Sequence, residues 1–261
     1  MVNCGMDDAT RLFSLADRNA FVTGASGGLG EHFARVLHAA GARVALAARR
    51  ADALAALASE LGGRVVPVAL DVTDAAAVGR AFDAAEAAFG GPCDVVVNNA
   101  GVAVTRPALE TTEEDWDRVL DVNLRGCFLV AQAAAQRLVA AKRPGSIVNI
   151  ASVGGLRVLN GVAGYTASKA ALLQLTRQLA VEWARHGIRV NAIAPGYVRT
   201  PINAEFFDSD AGKALIKRSP QRRLGTPEDL TGPLLLLASD AGAHMTGATL
   251  VVDGGHSVNP L

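Results

Sequence analysis

The chain has 261 residues, half of them apolar, and its 25 basic residues balance 25 acidic ones. That is enough for one sizeable core, and α/β chains of this length commonly fold as a single domain. Zero formal charge advertises no basic face for nucleic acid, and no run of ~18 uninterrupted apolar residues is present to span a membrane. The longest apolar stretch, 232–252, is broken by Asp240 and His244.

Short β-rich apolar runs alternate with Ala/Leu-rich helical stretches. In chain order the expected elements are strand 20–23, helix 28–40, strand 43–47, helix 52–61, strand 65–70, helix 75–89, strand 95–98, a long helix from about 112 to 141, strand 146–150, helix 163–185, strand 189–194, helix 227–239 and strand 249–252. Strands without polar alternation, buried on both faces, point to a parallel sheet. The strict β-α-β rhythm predicts a doubly wound Rossmann-type sheet of seven mainly parallel strands with helices on both faces. The stretch 197–226 departs from this rhythm. It is polar, helical only in part and carries Phe206 and Phe207 near its centre, the character of a lid over a binding site.

The first strand runs into TGASGGLG and then a helix, with glycines at 24, 28 and 30. A glycine-rich turn between a first strand and a first helix brings backbone N–H groups and the helix N-terminus onto a pyrophosphate. Ser26, Gly28, Leu29 and Gly30 join Gly24 as candidate contacts. The second strand ends in ALAARR. An acid at its end would bind a ribose 2′-OH and select NAD. That slot holds Ala48, followed by Arg49 and Arg50, whose cations attract a 2′-phosphate. NADP is therefore favoured over NAD, with Arg49 as the leading contact and Ser26 adding a hydrogen bond. Asp71 and Val72, after the third strand, could receive and pack an adenine. In NNAG, Asn98, Ala100 and Gly101 let a cofactor approach closely at the end of the fourth strand.

Tyr165 and Lys169 stand four residues apart on a predicted helix, so phenol and ammonium share a face. A free phenol titrates near ~10 and is a poor proton shuttle at neutral pH. An ammonium about 5 Å away, at an effective dielectric of ~20, favours a phenolate by roughly 3 kcal/mol. The pair thus has the makings of a general acid/base. Ser152 lies upstream in NIASVGG. The three cysteines, Cys4, Cys93 and Cys127, and the five histidines show no metal-ligand spacing. Reduced thiols, and acids where a signal peptide needs bases in MVNCGMDDATRLFSLADR, lead us to expect a cytoplasmic protein.

Taken in order, TGASGGLG, Asp71-Val72, NNAG, Asn123 in DVNL, Ser152, YTASK and Pro195-Gly196 resemble the short-chain dehydrogenase/reductase family in its single-domain form. The resemblance spans nearly the whole chain, and Ser152 precedes Tyr165 by the family's usual thirteen residues. It implies a hydride exchange between NADP(H) and a carbonyl/secondary alcohol pair. Tyr165 would be the acid in reduction and the base in oxidation. Lys169 would stabilise its phenolate and bind the nicotinamide ribose, Ser152 would polarise the substrate oxygen, and Asn123 would support a water in a proton relay. Pro195, Gly196, Val198 and Thr200 would cup the nicotinamide amide.

The resemblance also implies a homotetramer built on the long helices 112–141 and 163–185. Two other readings compete with the oxidoreductase. One is a dinucleotide-binding regulator that keeps the fold and has lost the chemistry, although such proteins usually lose the tyrosine or lysine. The other is a sugar-nucleotide epimerase, which needs a larger substrate domain. Candidate substrates are 3-oxoacyl thioesters, small ketones, polyols or sugars, and hydroxysteroids.

Overall fold

The structure is a computed structural model that describes residues 10–200 and 204–258. Its seven strands are β1 (Asn19–Thr23), β2 (Arg43–Ala48), β3 (Val65–Ala69), β4 (Val95–Asn98), β5 (Gly145–Ile150), β6 (Ile188–Pro195) and β7 (Thr249–Val252). All pair in parallel, in the order β3-β2-β1-β4-β5-β6-β7. The order reverses between β1 and β4, the topological switch point at which open α/β sheets bind ligands.

Three helices, α1 (Gly28–Ala39), α2 (Ala51–Leu61) and α3 (Ala75–Phe89), connect the first four strands. Further on lie α4 (Glu113–Leu120), α5 (Cys127–Ala140), α6 (Ala163–Trp183), α7 (Ala204–Asp208), α8 (Asp210–Arg218) and α9 (Thr231–Ala238). Period-two alternation along each strand feeds two apolar cores. Ala20, Val22, Val95 and Val97 pack with Phe33 and Leu37 of α1 and Leu234 and Leu237 of α9. Phe21, Val96 and Ile147 pack on the other face with Phe82 of α3, Leu138 of α5 and Leu179 of α6. There the Phe21 and Phe82 rings stack with centroids 4.3 Å apart. Burying such a side chain contributes about 1.5–3 kcal/mol. Pro67 lies in β3, an edge strand, where a residue without an N–H is tolerated.

The strand and helix expectations hold within a residue or two, with three corrections. The helix expected over 112–141 runs without a gap from Glu113 to Ala140 but is not α-helical throughout. After α4 the backbone widens into a π-helical turn, Asp121–Gly126, before α5 resumes. The Asn123 amide causes no break in hydrogen bonding there, because it turns out of the helix and pairs with the backbone of Val102. The helix expected over 227–239 is a 3₁₀ turn, Pro227–Leu230, followed by α9. The helix expected over 163–185 closes as a 3₁₀ turn, Ala184–His186. Among the described residues no helix is long and apolar enough to cross a membrane.

Candidate active site

The carboxyl ends of β1, β4, β5 and β6 converge on one pole of the sheet, and the loops that leave them carry the expected residues. β4 leads to Gly101 and Val102, and β5 leads to Ser152. The helix α6 crosses this pole with Tyr165 in its first turn and Lys169 one turn on. Lys169 is buried, 4% exposed, yet its ammonium is satisfied by the Ile150 carbonyl at 2.8 Å. The same ammonium stands 5.7 Å from the centroid of the Tyr165 ring. An ammonium so close to an aromatic ring in a partly dry site is electrostatically strong.

Asn123 is fully buried in the π-helical turn. Its Oδ1 accepts from the Val102 N–H at 2.8 Å, and its Nδ2 donates to the Val102 carbonyl at 2.9 Å and to Ser168 Oγ at 3.1 Å. Ser168 Oγ in turn donates to the Tyr165 carbonyl at 2.7 Å. A Cβ placed on Gly101 would stand 3.3 Å from Asn123 Oδ1 and 3.6 Å from Lys169 Nζ, so three expected residues meet at one point. Ser152 caps a short 3₁₀ turn, Val153–Gly155, its Oγ accepting from the Gly154 N–H at 3.0 Å. Among the described residues no acceptor takes its hydroxyl proton, which can therefore donate. Cys127, at the start of α5, is buried, and burial pushes its thiol up to about 11, away from the thiolate form a nucleophile needs.

At the glycine turn, Gly24 and Gly28 take positive φ. A Cβ on Gly30 would strike the Gly24 carbonyl and lie 2.5 Å from Asn99 Nδ2, so only hydrogen fits there. Nothing lies within 4 Å of where a Cβ on Gly28 would stand, and no side chain caps the first N–H groups of α1. An open turn backed by uncapped helix N–H groups suits a pyrophosphate. Leu29, second residue of α1, packs against the core.

Two residues outside the sequence expectation hold this turn. Thr23 Oγ1 accepts from the N–H groups of Asn99 and Ala100 at 2.9 and 3.0 Å, and Asn99 Nδ2 donates to the Thr23 carbonyl at 3.0 Å. The neighbouring Asn98 side chain does not reach the turn. It is buried on the other face, donating to Asn149 Oδ1 at 2.9 Å and the Cys127 carbonyl at 3.1 Å.

The arginine that meets Ser26 is Arg50. Its guanidinium donates to the Ser26 carbonyl at 2.7 Å and to Ser26 Oγ at 3.1 and 3.2 Å. Arg49 lies towards Asp71. The N–H and hydroxyl of Thr73 hold the Asp71 carboxyl below the usual range, and the Arg49 charge adds to the effect. Val72, beside it, is buried.

At the end of β6, Pro195 pairs with Val252, and a Cβ on Gly196 would lie 2.7 Å from Asp253 Cα. Val198 is buried and bridges Gly225, closing the base of the 197–226 stretch, while Thr200 is half-buried. Above them α7 and α8 form a helical pair, with Phe207 buried edge-on against Tyr197 at 5.9 Å and Phe206 half exposed. A cavity of about 380 Å³ opens behind this pair, lined by Tyr197, Ile216, Arg223, Val252 and His256 among others.

The family model described as Enoyl-(Acyl carrier protein) reductase matches residues 24–257. The chain is 42% identical to 3beta-hydroxysteroid dehydrogenase 1 of Eggerthella lenta, over 94% of this chain and 96% of that one. It is 41% identical to D-threitol dehydrogenase of Mycolicibacterium smegmatis, over 94% and 95%. Among solved structures, a gluconate 5-dehydrogenase from Burkholderia cenocepacia in complex with NADP and tartrate superposes with a TM-score of 0.91. It is 37% identical, over 96% of this chain and 99% of that one. A short-chain type dehydrogenase/reductase from Mycobacterium marinum superposes with a TM-score of 0.88 at 41% identity, over 94% and 97%. With its fold and most of its length shared in this way, the chain belongs to the short-chain dehydrogenase/reductase family of hydride-transferring oxidoreductases.

Proposed function

We propose that this chain interconverts a carbonyl and a secondary alcohol with NADP(H), using Tyr165 as general acid/base. The observation that carries the reading is the Lys169 ammonium, buried, anchored on Ile150 and 5.7 Å from the Tyr165 ring. In reduction the Tyr165 hydroxyl gives its proton to the substrate oxygen, and in oxidation it takes one. Ser152 Oγ donates a second hydrogen bond to the same oxygen, where negative charge develops. The Lys169 ammonium stands beside the Tyr165 ring, and Asn123, beside Gly101 and Lys169, supports the route by which the proton is replaced. A bound nicotinamide supplies or removes the hydride.

The residues present suit that cofactor. The open turn at Gly24, Ser26, Gly28, Leu29 and Gly30 would take the pyrophosphate, Asp71 and Val72 the adenine, and Pro195, Gly196, Val198 and Thr200 the nicotinamide amide. The absence of an acid at Ala48 and the Arg50–Ser26 pair support NADP over NAD, as does the NADP in the Burkholderia structure. Lys169 and Tyr165 are both in place, so nothing favours the silent regulator. The stretch 197–226 acts as the lid. The exposed Val181 on α6 and Val139 on α5 stand on the helices through which a homotetramer would associate. The setting is cytoplasmic.

The test follows NADPH and NADP absorbance against a panel drawn from the relatives: 3-oxo and 3β-hydroxysteroids, D-threitol and its ketose, gluconate and 5-ketogluconate. Turnover is expected with at least one pair. Tyr165→Phe should lower kcat by about 10²–10⁴ while NADPH still binds. A Tyr165→Phe chain with full turnover would remove the proposed mechanism.

A further inference from the structure

We infer that Gly155 is a positioning residue, and that its contact with the backbone of α6 fixes where the Ser152 hydroxyl stands relative to Tyr165 and Lys169. The inference rests on the catalytic reading of those three residues. Gly155 takes no positive φ, so backbone conformation does not demand glycine there. Space does. A Cβ at Gly155 would lie 2.8 Å from both the carbonyl carbon and oxygen of Lys169, and 3.0 Å from the Ala170 nitrogen. All three atoms belong to the middle of a 21-residue helix, whose peptide groups are locked in its hydrogen-bond ladder and cannot swing aside.

The strain would therefore fall on the Ser152 turn. That turn moves as a unit, because Ser152 is tied into it twice. Its Oγ accepts from the Gly154 N–H, and its carbonyl accepts from the Gly155 N–H at 2.9 Å. The segment also grips Lys169 from the other end, through the Ile150 carbonyl. One methyl at Gly155 pushes the serine away from the helix that carries its two partners. A misplacement of about 1 Å costs on the order of a hundredfold in rate.

The experiment is a double-mutant cycle of Ser152→Ala and Gly155→Ala. It measures kcat with NADPH and the panel ketone that the unaltered chain reduces fastest, NADPH affinity by fluorescence, and thermal melting. Ser152→Ala should lower kcat by about 10²–10³, and Gly155→Ala by roughly a hundredfold. The double variant should be no slower than Ser152→Ala within about threefold, because once the hydroxyl is gone its position no longer matters. NADPH affinity should change less than about twofold throughout.

If the two losses multiply in the double variant, Gly155 acts on something other than Ser152 and the inference fails. It fails too if Gly155→Ala does not fold, since the contact would then hold the fold itself. Full turnover in Ser152→Ala is a different failure, one that sinks the catalytic reading beneath it.

Discussion

The Lys169 ammonium donates to the Ile150 carbonyl at 2.8 Å, joining the helix that carries Tyr165 to the strand that delivers Ser152. This is the one hydrogen bond Lys169 makes to the described residues. An ammonium has three donors, so two remain for a ribose and a water. The bond also explains how the charge is tolerated at 4% exposure, since a buried ammonium needs a partner. Lys169→Ala should lower kcat by about a hundredfold or more. It should also destabilise the fold by about 1–3 kcal/mol, by leaving the buried Ile150 carbonyl unpaired. Steady-state kinetics and urea denaturation of the same preparation test both halves. A variant that turns over normally would show that the ammonium is structural alone.

If NADP is the cofactor as proposed, its selection over NAD should depend on Arg50. It contacts Ser26 through two nitrogens, whereas Arg49 lies near Asp71. A charge-assisted hydrogen bond contributes about 1.5–3 kcal/mol, or roughly ten- to a hundredfold in affinity. Arg50→Ala should cut the NADPH/NADH ratio of kcat/KM by about that factor, and Arg49→Ala by much less. If only Arg49→Ala changes the ratio, the 2′-phosphate seat has been assigned to the wrong arginine.

The sheet, its strand boundaries and the juxtaposition of Tyr165 with Lys169 were legible because each rests on short-range periodicity. Apolar runs between helical stretches define parallel strands, and Tyr165 and Lys169 need only one helical turn to meet. The direction of the Asn98 side chain follows from period-two counting. Val96 faces the core packed by α3 and α5, so Asn98 faces it too, and Asn99 falls to the side of the glycine turn. Arg49 and Arg50 differ by one position after a strand, where the chain turns into α2, and no local pattern tells which one swings back to Ser26. The π-helical turn carries no propensity signal either. It is fixed by a tertiary partner, Val102, that lies 21 residues away in sequence.

That turn depends on Asn123, whose amide satisfies both backbone groups of Val102 and reaches Ser168. Asn123→Ala leaves these buried groups without partners. It should cost about 2–3 kcal/mol in urea denaturation and lower kcat as Gly101 and Lys169 lose their neighbour. Asn123→Asp keeps the acceptor for the Val102 N–H but loses the donor to its carbonyl, and it adds a buried charge, so it should be no better. A stable, fully active Asn123→Ala would mean that α4 and α5 hold the π-helical turn without it.

Acid stability at the base of the lid depends on Asp229. Its carboxylate accepts from Arg223 at 2.6 Å and from the Thr226 N–H at 2.8 Å, closing the capping box that starts the 3₁₀ turn before α9. These bonds, the one to Arg223 foremost, hold its carboxyl down at about 2, below the ordinary 3.8. A carboxyl whose value is depressed on folding stabilises the fold above its unfolded value, and the stabilisation is lost as pH falls through the folded one. The benefit is therefore complete above about pH 4–5 and fades between roughly 4 and 2. Because the pair is largely exposed, solvent screens much of it, and the cap sets the scale. Asp229→Ala should lower Tm by about 2–4 °C at pH 7. The gap between the two proteins should narrow below pH 4 and close near pH 2. A gap that stays constant across that range would show that the loss comes from packing around the turn and not from the carboxylate.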